Sequence, residues 1–180
     1  MGKIVSNFFI SLDGVVEAPD QWHMSYFNDE MGAAVGKGMA TNRGFLMGRV
    51  LYDEWAEFWP KQPEDDEFAK FFNSIPKYVV SNSLTTADWN NTTIISGDVA
   101  ARLRELREAT DGDLVLSGSA TLVRWLLAEG LLDELHLLMH PVVVGKGARL
   151  FEAGAAHTLT LVESETFSTG VLNLTYAPSN

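Results

Sequence analysis

Two hydrophobic rhythms alternate along this chain. Dense apolar runs of a few residues read as strands buried on both faces, whereas apolar residues returning every three or four positions read as amphipathic helices. Residues 4–12 form the first such run and predict an interior strand. Asp13-Gly14 turns the chain, and 15–23, with Pro19, Asp20 and Trp22, is an irregular stretch longer than an ordinary α/β connection, which marks it as functional. Phe27, Met31, Ala34 and Val35 have helical spacing, although Gly32, Gly36 and Gly38 weaken that helix. A short strand at 45–47 is followed by a turn at Gly48-Arg49. Leu51, Trp55 and Phe58 then predict a helix that ends near Pro60. The acidic and aromatic stretch 61–74 predicts a short helix with one buried face. Strands follow at 77–80 and 92–96, and then a helix with Val99, Leu103 and Leu106 on one face and Asp98 as its cap.

The stretch 113–151 organises the rest. Leu114, Val115 and Leu116 make a buried strand, and Ser117-Gly118-Ser119 breaks it. Leu122, Val123, Leu126 and Leu127 lie on one side of a helix that Gly130 closes. A β-rich run at 134–140 ends at Pro141, completing a βαβ unit. The turn after its first strand points backbone N–H groups from the positive end of a helix, where an anion binds readily. After Gly145-Lys146-Gly147, alternating segments at 158–163 and 171–176 with Gly170 between them predict an antiparallel hairpin. The fold class is therefore α/β: three layers, a mixed, mostly parallel central sheet flanked by helices, and a C-terminal antiparallel hairpin. One domain over 1–180 is expected.

Composition narrows the function. A hydrophobic content of 46% belongs to a globular chain, and the absence of cysteine excludes disulfides and thiolate-held metals. A formal net charge of −11 disfavours nucleic acid and anionic membrane as partners. No apolar run reaches membrane-spanning length, and no leader pattern is present, so a cytoplasmic protein is expected. Met1-Gly2 with Ser6 fits a loose myristoylation pattern, but these residues serve equally as the lead into the first strand.

Three strand ends carry small or basic residues: Gly48-Arg49, Ser81-Asn82-Ser83 and Ser117-Gly118-Ser119. In open α/β sheets ligands lie beyond the carboxyl ends of the strands, so the three are expected to converge. Gly118 and Ser119 offer N–H groups to a pyrophosphate, Arg49 offers a donor fork suited to phosphate, and the serines add hydroxyls. Singly, each is also an ordinary turn. Asp13, Asp29 and Glu30 are candidate proton donors. The histidines, at 23, 136, 140 and 157, show no metal-ligand spacing, so no metal is expected. There is neither a G-x-G-x-x-G fingerprint after the first strand nor a G-x-S-x-G elbow.

Ser11-Leu12-Asp13-Gly14, Met47-Gly48-Arg49, Gly118-Ser119 with Leu122, Gly130-Leu131-Leu132-Asp133-Glu134-Leu135, and Pro141-Val142-Val143-Val144-Gly145 ahead of Gly147 and Phe151 follow in a telling order. In that order and spacing the chain resembles the dihydrofolate reductase-like fold. Within it, the likeness is to the reductase domain of the riboflavin-biosynthesis deaminase–reductase, the RibD C-terminal family. The resemblance covers nearly the whole chain. It implies NADPH across the carboxyl edge of the sheet, with Gly118, Ser119, Ala120 and Thr121 near pyrophosphate and nicotinamide. Gly48, Arg49, Ser81, Asn82 and Ser83 would lie towards the 2′-phosphate. The loop from Asp13 to Trp22 would close over nicotinamide and substrate, and Asp29 or Glu30 would stand where the acid of dihydrofolate reductase stands.

The implied activity is an NADPH-dependent reductase of a small polar heterocycle or sugar-type carbonyl or imine, similar to 5-amino-6-(5-phosphoribosylamino)uracil reductase. Dihydrofolate reduction, and NADPH binding without turnover in a regulatory module, are the alternatives. A homodimer paired through 134–140 and the late hairpin is implied as well. Two departures stand out: Leu51 occupies a place where many members have Thr, and riboflavin-pathway reductases usually have Gly-Gly where this chain has Gly118-Ser119. The zinc-binding deaminase half has no counterpart here.

Overall fold

In the computed structural model, which describes residues 2–154 and 156–179, the strands are β1 (Ile4–Ser11), β2 (Asn42–Gly48), β3 (Lys77–Val80), β4 (Thr92–Ile95), β5 (Asp113–Ser117), β6 (Glu134–His140), β7 (Leu159–Thr166) and β8 (Leu172–Pro178). The helices are α1 (Asp29–Thr41), α2 (Arg49–Phe58), α3 (Glu67–Ser74), α4 (Val99–Ala109) and α5 (Ala120–Ala128). One sheet holds all eight strands in the order β4-β3-β2-β5-β1-β6-β8-β7. The first six run parallel, and β8 and β7 close the sheet antiparallel.

β1 lies centrally because it can bury both faces. Ile4, Phe8 and Ile10 join Leu114, Leu116, Leu135 and Leu137 in a core shared with α4 and α5. Phe45, Met47, Val79 and Val115 pack with Tyr52, Trp55, Phe71 and Phe72 of α2 and α3. A third cluster sets Met31 of α1 on Phe9, Phe167 and Val171. Alternation along β2, with Leu46 in one cluster and its neighbours in another, is the period of two that makes a three-layer fold.

α1 forms despite its three glycines. Asn28 caps it by accepting from Met31 N–H at 3.0 Å, and Met31 is fully buried, so tertiary packing outweighs poor propensity. Gly130, at φ 64°, ends α5, with Leu131 N–H returning to Leu126 carbonyl at 2.8 Å. Lys77 is fully buried: its ammonium donates to the carbonyls of Phe72 (2.7 Å) and Ile75 (2.9 Å) at the end of α3 and sits over the Trp89 ring.

The strand order distinguishes the two parts of the sheet expected to pair, the run 134–140 and the late hairpin. The run 134–140 offers no edge, because β6 is paired with β1 on one side and β8 on the other. The open edges are β4 and β7. No helix of the described residues is long and apolar enough to cross a membrane.

Candidate functional site

Adjacent strands β2 and β5 each run straight into a helix. Gly48 precedes α2 and supplies no side-chain cap, and Ser119 precedes α5 without capping it. The Ser119 hydroxyl instead accepts the Gly48 N–H at 3.0 Å, which stitches the two helix starts together. Ser119 is held in the left-handed region, at φ 54°, directly after Gly118 at φ 94°. A Cβ at Gly118 would also meet Leu51, 3.5 Å away. α4 begins differently, since Asp98 accepts the N–H of Ala101 at 3.0 Å and places its own carboxylate on that helix start. Of three helix N-termini at this edge, two are open to an anion and one is already occupied.

These starts line a cleft of about 1550 Å³ together with Asn7 and Phe9 of β1, the loop 16–20, Asn82 and Gly97. Every guanidinium on its wall is engaged. Arg49 pairs with Asp53 (2.9 Å), Arg124 with Glu152 (2.8 Å) and with the carbonyl of Leu150 (3.0 Å), and Arg149 donates to the Asp13 carbonyl (3.0 Å).

Gly48, Arg49, Asn82, Gly118, Ser119, Ala120 and Thr121 are brought together on this wall, as the strand-end pattern implies. Ser81 and Ser83 are not among its lining residues. The buried Ser81 hydroxyl accepts from the N–H groups of Ser83 (3.2 Å) and Leu84 (3.0 Å), so it shapes the turn after β3. Asn7 escaped the reading of motifs, although an amide within an apolar run was its visible signal. Arg124 and Arg149 carried no such signal, because only the folded chain brings them to the cleft.

Asp13 is engaged in hydrogen bonds that favour its ionised form. Its carboxylate accepts from the Ser11 hydroxyl (2.6 Å) and the N–H groups of Val144 (3.1 Å) and Gly145 (2.9 Å), which lower its pKa to about 2. Glu30 is engaged in the same way. It accepts from the Ser168 hydroxyl, from Ser168 N–H (2.8 Å) and from Asn28 (2.7 Å), all of which favour the ionised form. Asp29 is exposed in the first turn of α1, and neither Asp29 nor Glu30 lines the cleft. Trp22 packs edge-on to His140 at 5.3 Å and is not among the residues that line the cleft. Burial lowers the pKa of both His140 and His23, and the carbonyls of Leu138 and Ile10 oppose it at His140. Among the described residues no cluster of three or more His, Cys, Asp or Glu is placed to hold a metal.

A mixed sheet of this order with paired helix starts at its carboxyl edge defines the dihydrofolate reductase-like class. The solved dihydrofolate reductase from Enterococcus faecalis, in complex with NADP(H), superposes with a TM-score of 0.64 at 13% identity over 99% of this chain and 98% of that one. Residues 2–173 match the RibD C-terminal domain, and the chain belongs to that family. It is 29% identical to the uncharacterised protein YyaP of Bacillus subtilis over 97% of this chain and 94% of the relative. The structure of a putative riboflavin biosynthesis protein from Shewanella sp. PV-4 is similar over the full length of both chains, with a TM-score of 0.75 and 21% identity.

Proposed function

We propose that the protein is an NADPH-dependent reductase acting on a C=N or C=O group of a small polar heterocycle or open sugar, as reductases of riboflavin biosynthesis do. The observation that carries this reading is the hydrogen bond between Gly48 and Ser119, which fixes two uncapped helix N-termini side by side at one wall of the cleft. A pyrophosphate matches that pair of positive ends, whereas the Asp98 carboxylate disfavours a further anion at α4. A reduced nicotinamide held there would supply hydride chemistry, and the nitrogen or oxygen attached to the accepting carbon would require a proton. The chain's own part is to hold the cofactor and to deliver that proton.

The 2′-phosphate falls to Arg49. Asp53 is its single ionic partner among the described residues, an exposed i,i+4 pair worth roughly 0.3–0.5 kcal/mol, so a phosphate displaces it at little cost. A charge-assisted hydrogen bond contributes about 1.5–3 kcal/mol, so Arg49→Ala is expected to weaken NADPH about tenfold or more and NADH much less. Titration of both proteins with both cofactors measures this. Equal losses would assign Arg49 to the shared pyrophosphate, and a wild type that binds neither cofactor would remove the reductase reading.

Of the three early carboxyls Asp13, Asp29 and Glu30, that of Asp29 alone accepts no hydrogen bond among the described residues, and it would relay the proton from outside the cleft lining. Asp29→Asn is expected to lower turnover while leaving NADPH affinity unchanged, and full turnover across pH would assign the proton to water. The fold's likeness to dihydrofolate reductase makes dihydrofolate the first comparison substrate. Binding of NADPH with no oxidation over a broad substrate panel would favour a nucleotide-binding regulatory module.

A further inference from the structure

Rings, not hydrogen bonds, attach the segment 18–27 to the rest of the fold. Its backbone donors return to itself: Gln21 to Ala18, Trp22 and His23 to Pro19, Tyr26 to His23, and Phe27 to Met24. The Trp22 indole N–H reaches only the neighbouring Glu17 carbonyl, at 3.2 Å. Among the described residues no hydrogen bond joins 18–27 to a strand or helix outside it. Such a segment can swing away without breaking the sheet or any helix.

What it covers is His140, at the end of β6 and without solvent exposure. Trp22, Tyr26 and His23 stand edge-on to this imidazole at 5.3, 5.5 and 6.0 Å, and Phe9 closes the nest at 5.9 Å. Phe9 stacks on His23 at 4.3 Å and also lines the cleft, so nest and cleft share the Phe9 ring. His140 Nδ1 lies 2.8 Å from the Leu138 carbonyl. A carbonyl only accepts, so Nδ1 carries the proton and Nε2 of the neutral ring presents a lone pair. That Nε2 is buried and has no hydrogen-bond partner among the described residues. A buried acceptor without a donor costs about 1–3 kcal/mol, so the closed segment leaves unused a contact that a ligand can complete.

We propose that His140 Nε2 recognises an N–H or amino donor on a planar heterocycle, which takes the place of the Trp22 and Tyr26 rings against Phe9 and His140 when segment 18–27 swings out. The inference rests on the cofactor reading only in calling that heterocycle the substrate. The nest selects flatness through stacked and edge-on rings. Nε2 selects a donor and rejects a group that can only accept. Burial keeps both imidazoles uncharged, so an anionic group finds no cation in the nest.

Two probes separate shape from hydrogen bonding: 5,6-diaminouracil, flat with ring N–H and amino donors, and 1,3-dimethyluracil, flat without them. They are titrated into the full chain labelled with ¹⁵N-histidine, with and without NADPH. The expected result is that 5,6-diaminouracil moves the His140 Nε2 resonance and changes the fluorescence that Trp22→Phe removes, while 1,3-dimethyluracil binds at least about tenfold more weakly. His140→Leu is expected to lose about the same factor for 5,6-diaminouracil and nothing for NADPH. His140→Gln, whose amide oxygen accepts, recovers part. Where His140→Leu fails to fold, the wild-type resonance and the two probes decide the matter. Equal binding of the two uracils, an unmoved His140 resonance with probe bound, or no binding even by the loosened Trp22→Ala protein would overturn the proposal. A diaminouracil signal in a protein that does not bind NADPH would overturn the cofactor reading and leave this one standing.

Discussion

Asp13 shows how a single carboxylate can join parts of the chain far apart in sequence. Its hydrogen bonds to Ser11, Val144 and Gly145 tie the end of β1 to a loop that lies 131 residues further along the chain. The Asp13-Gly14 turn was legible because turn chemistry is local, and Gly14 does adopt a positive φ of 84°. The two N–H partners were not legible, because nothing near Asp13 in sequence announces them. The folded-state pKa lies at about 2 against an ordinary 3.8. The carboxylate therefore adds stability that is complete above pH 3.8 and is lost as pH falls through 2. Asp13→Asn is expected to melt below the wild type at pH 7, with the gap closing between pH 4 and pH 2, as followed by circular dichroism. Parallel melting curves for the two proteins across that range would show that the carboxylate charge contributes nothing.

Among the elements, the junction of α2 and α5 carries the most of what the cleft can do. The sequence announces each helix start by its small residues, and the structure adds that Ser119 in the left-handed region spends its hydroxyl on the neighbouring element. That cross-link joins positions 71 residues apart and so leaves no periodic trace. Ser119→Ala keeps the strained backbone and loses the bond, and is expected to destabilise the fold by about 1 kcal/mol and weaken NADPH several-fold. Ser119→Gly loses the same bond but relieves roughly 1 kcal/mol of backbone strain, so its stability should stay close to wild type while NADPH binding falls as in the alanine variant. Urea unfolding midpoints alongside cofactor titration test the pair. If both variants bind NADPH normally, the stitch is structural and the anion lies elsewhere. The glycines of α1 teach the converse lesson: propensity alone argued weakly for that helix, and the Asn28 cap with the buried Met31 decides it.

At the scale of the whole molecule, the existence of the strands was readable from hydrophobic runs, but their order across the sheet was not. Apolar density marks β6 as buried without telling which strands bury it; β1 and β8 flank it, which leaves the outer edge to β7. The exposed edges differ in hazard. β4 is four residues long, whereas β7 is eight residues long with Leu161 and Val162 half or more exposed. A long open edge with apolar side chains is a template for pairing with another chain, and a two-fold related copy of the same edge satisfies its unpaired backbone groups. The bulge between Leu161 and Glu163, with Glu163 and Glu165 beside it, opposes an indefinite ladder and favours a closed pair. Of the two parts of the sheet expected to pair, the late hairpin therefore carries the homodimer proposal, through β7. Light scattering at micromolar concentration should give twice the chain mass. Val162→Lys should give the monomer mass with little change in melting temperature or NADPH affinity, because the side chain is exposed and remote from the cleft lining. A monomeric wild type would show that the bulge and the two glutamates suffice to protect the edge. A dimer that survives both Val162→Lys and Leu161→Lys would place the interface on another face of the molecule.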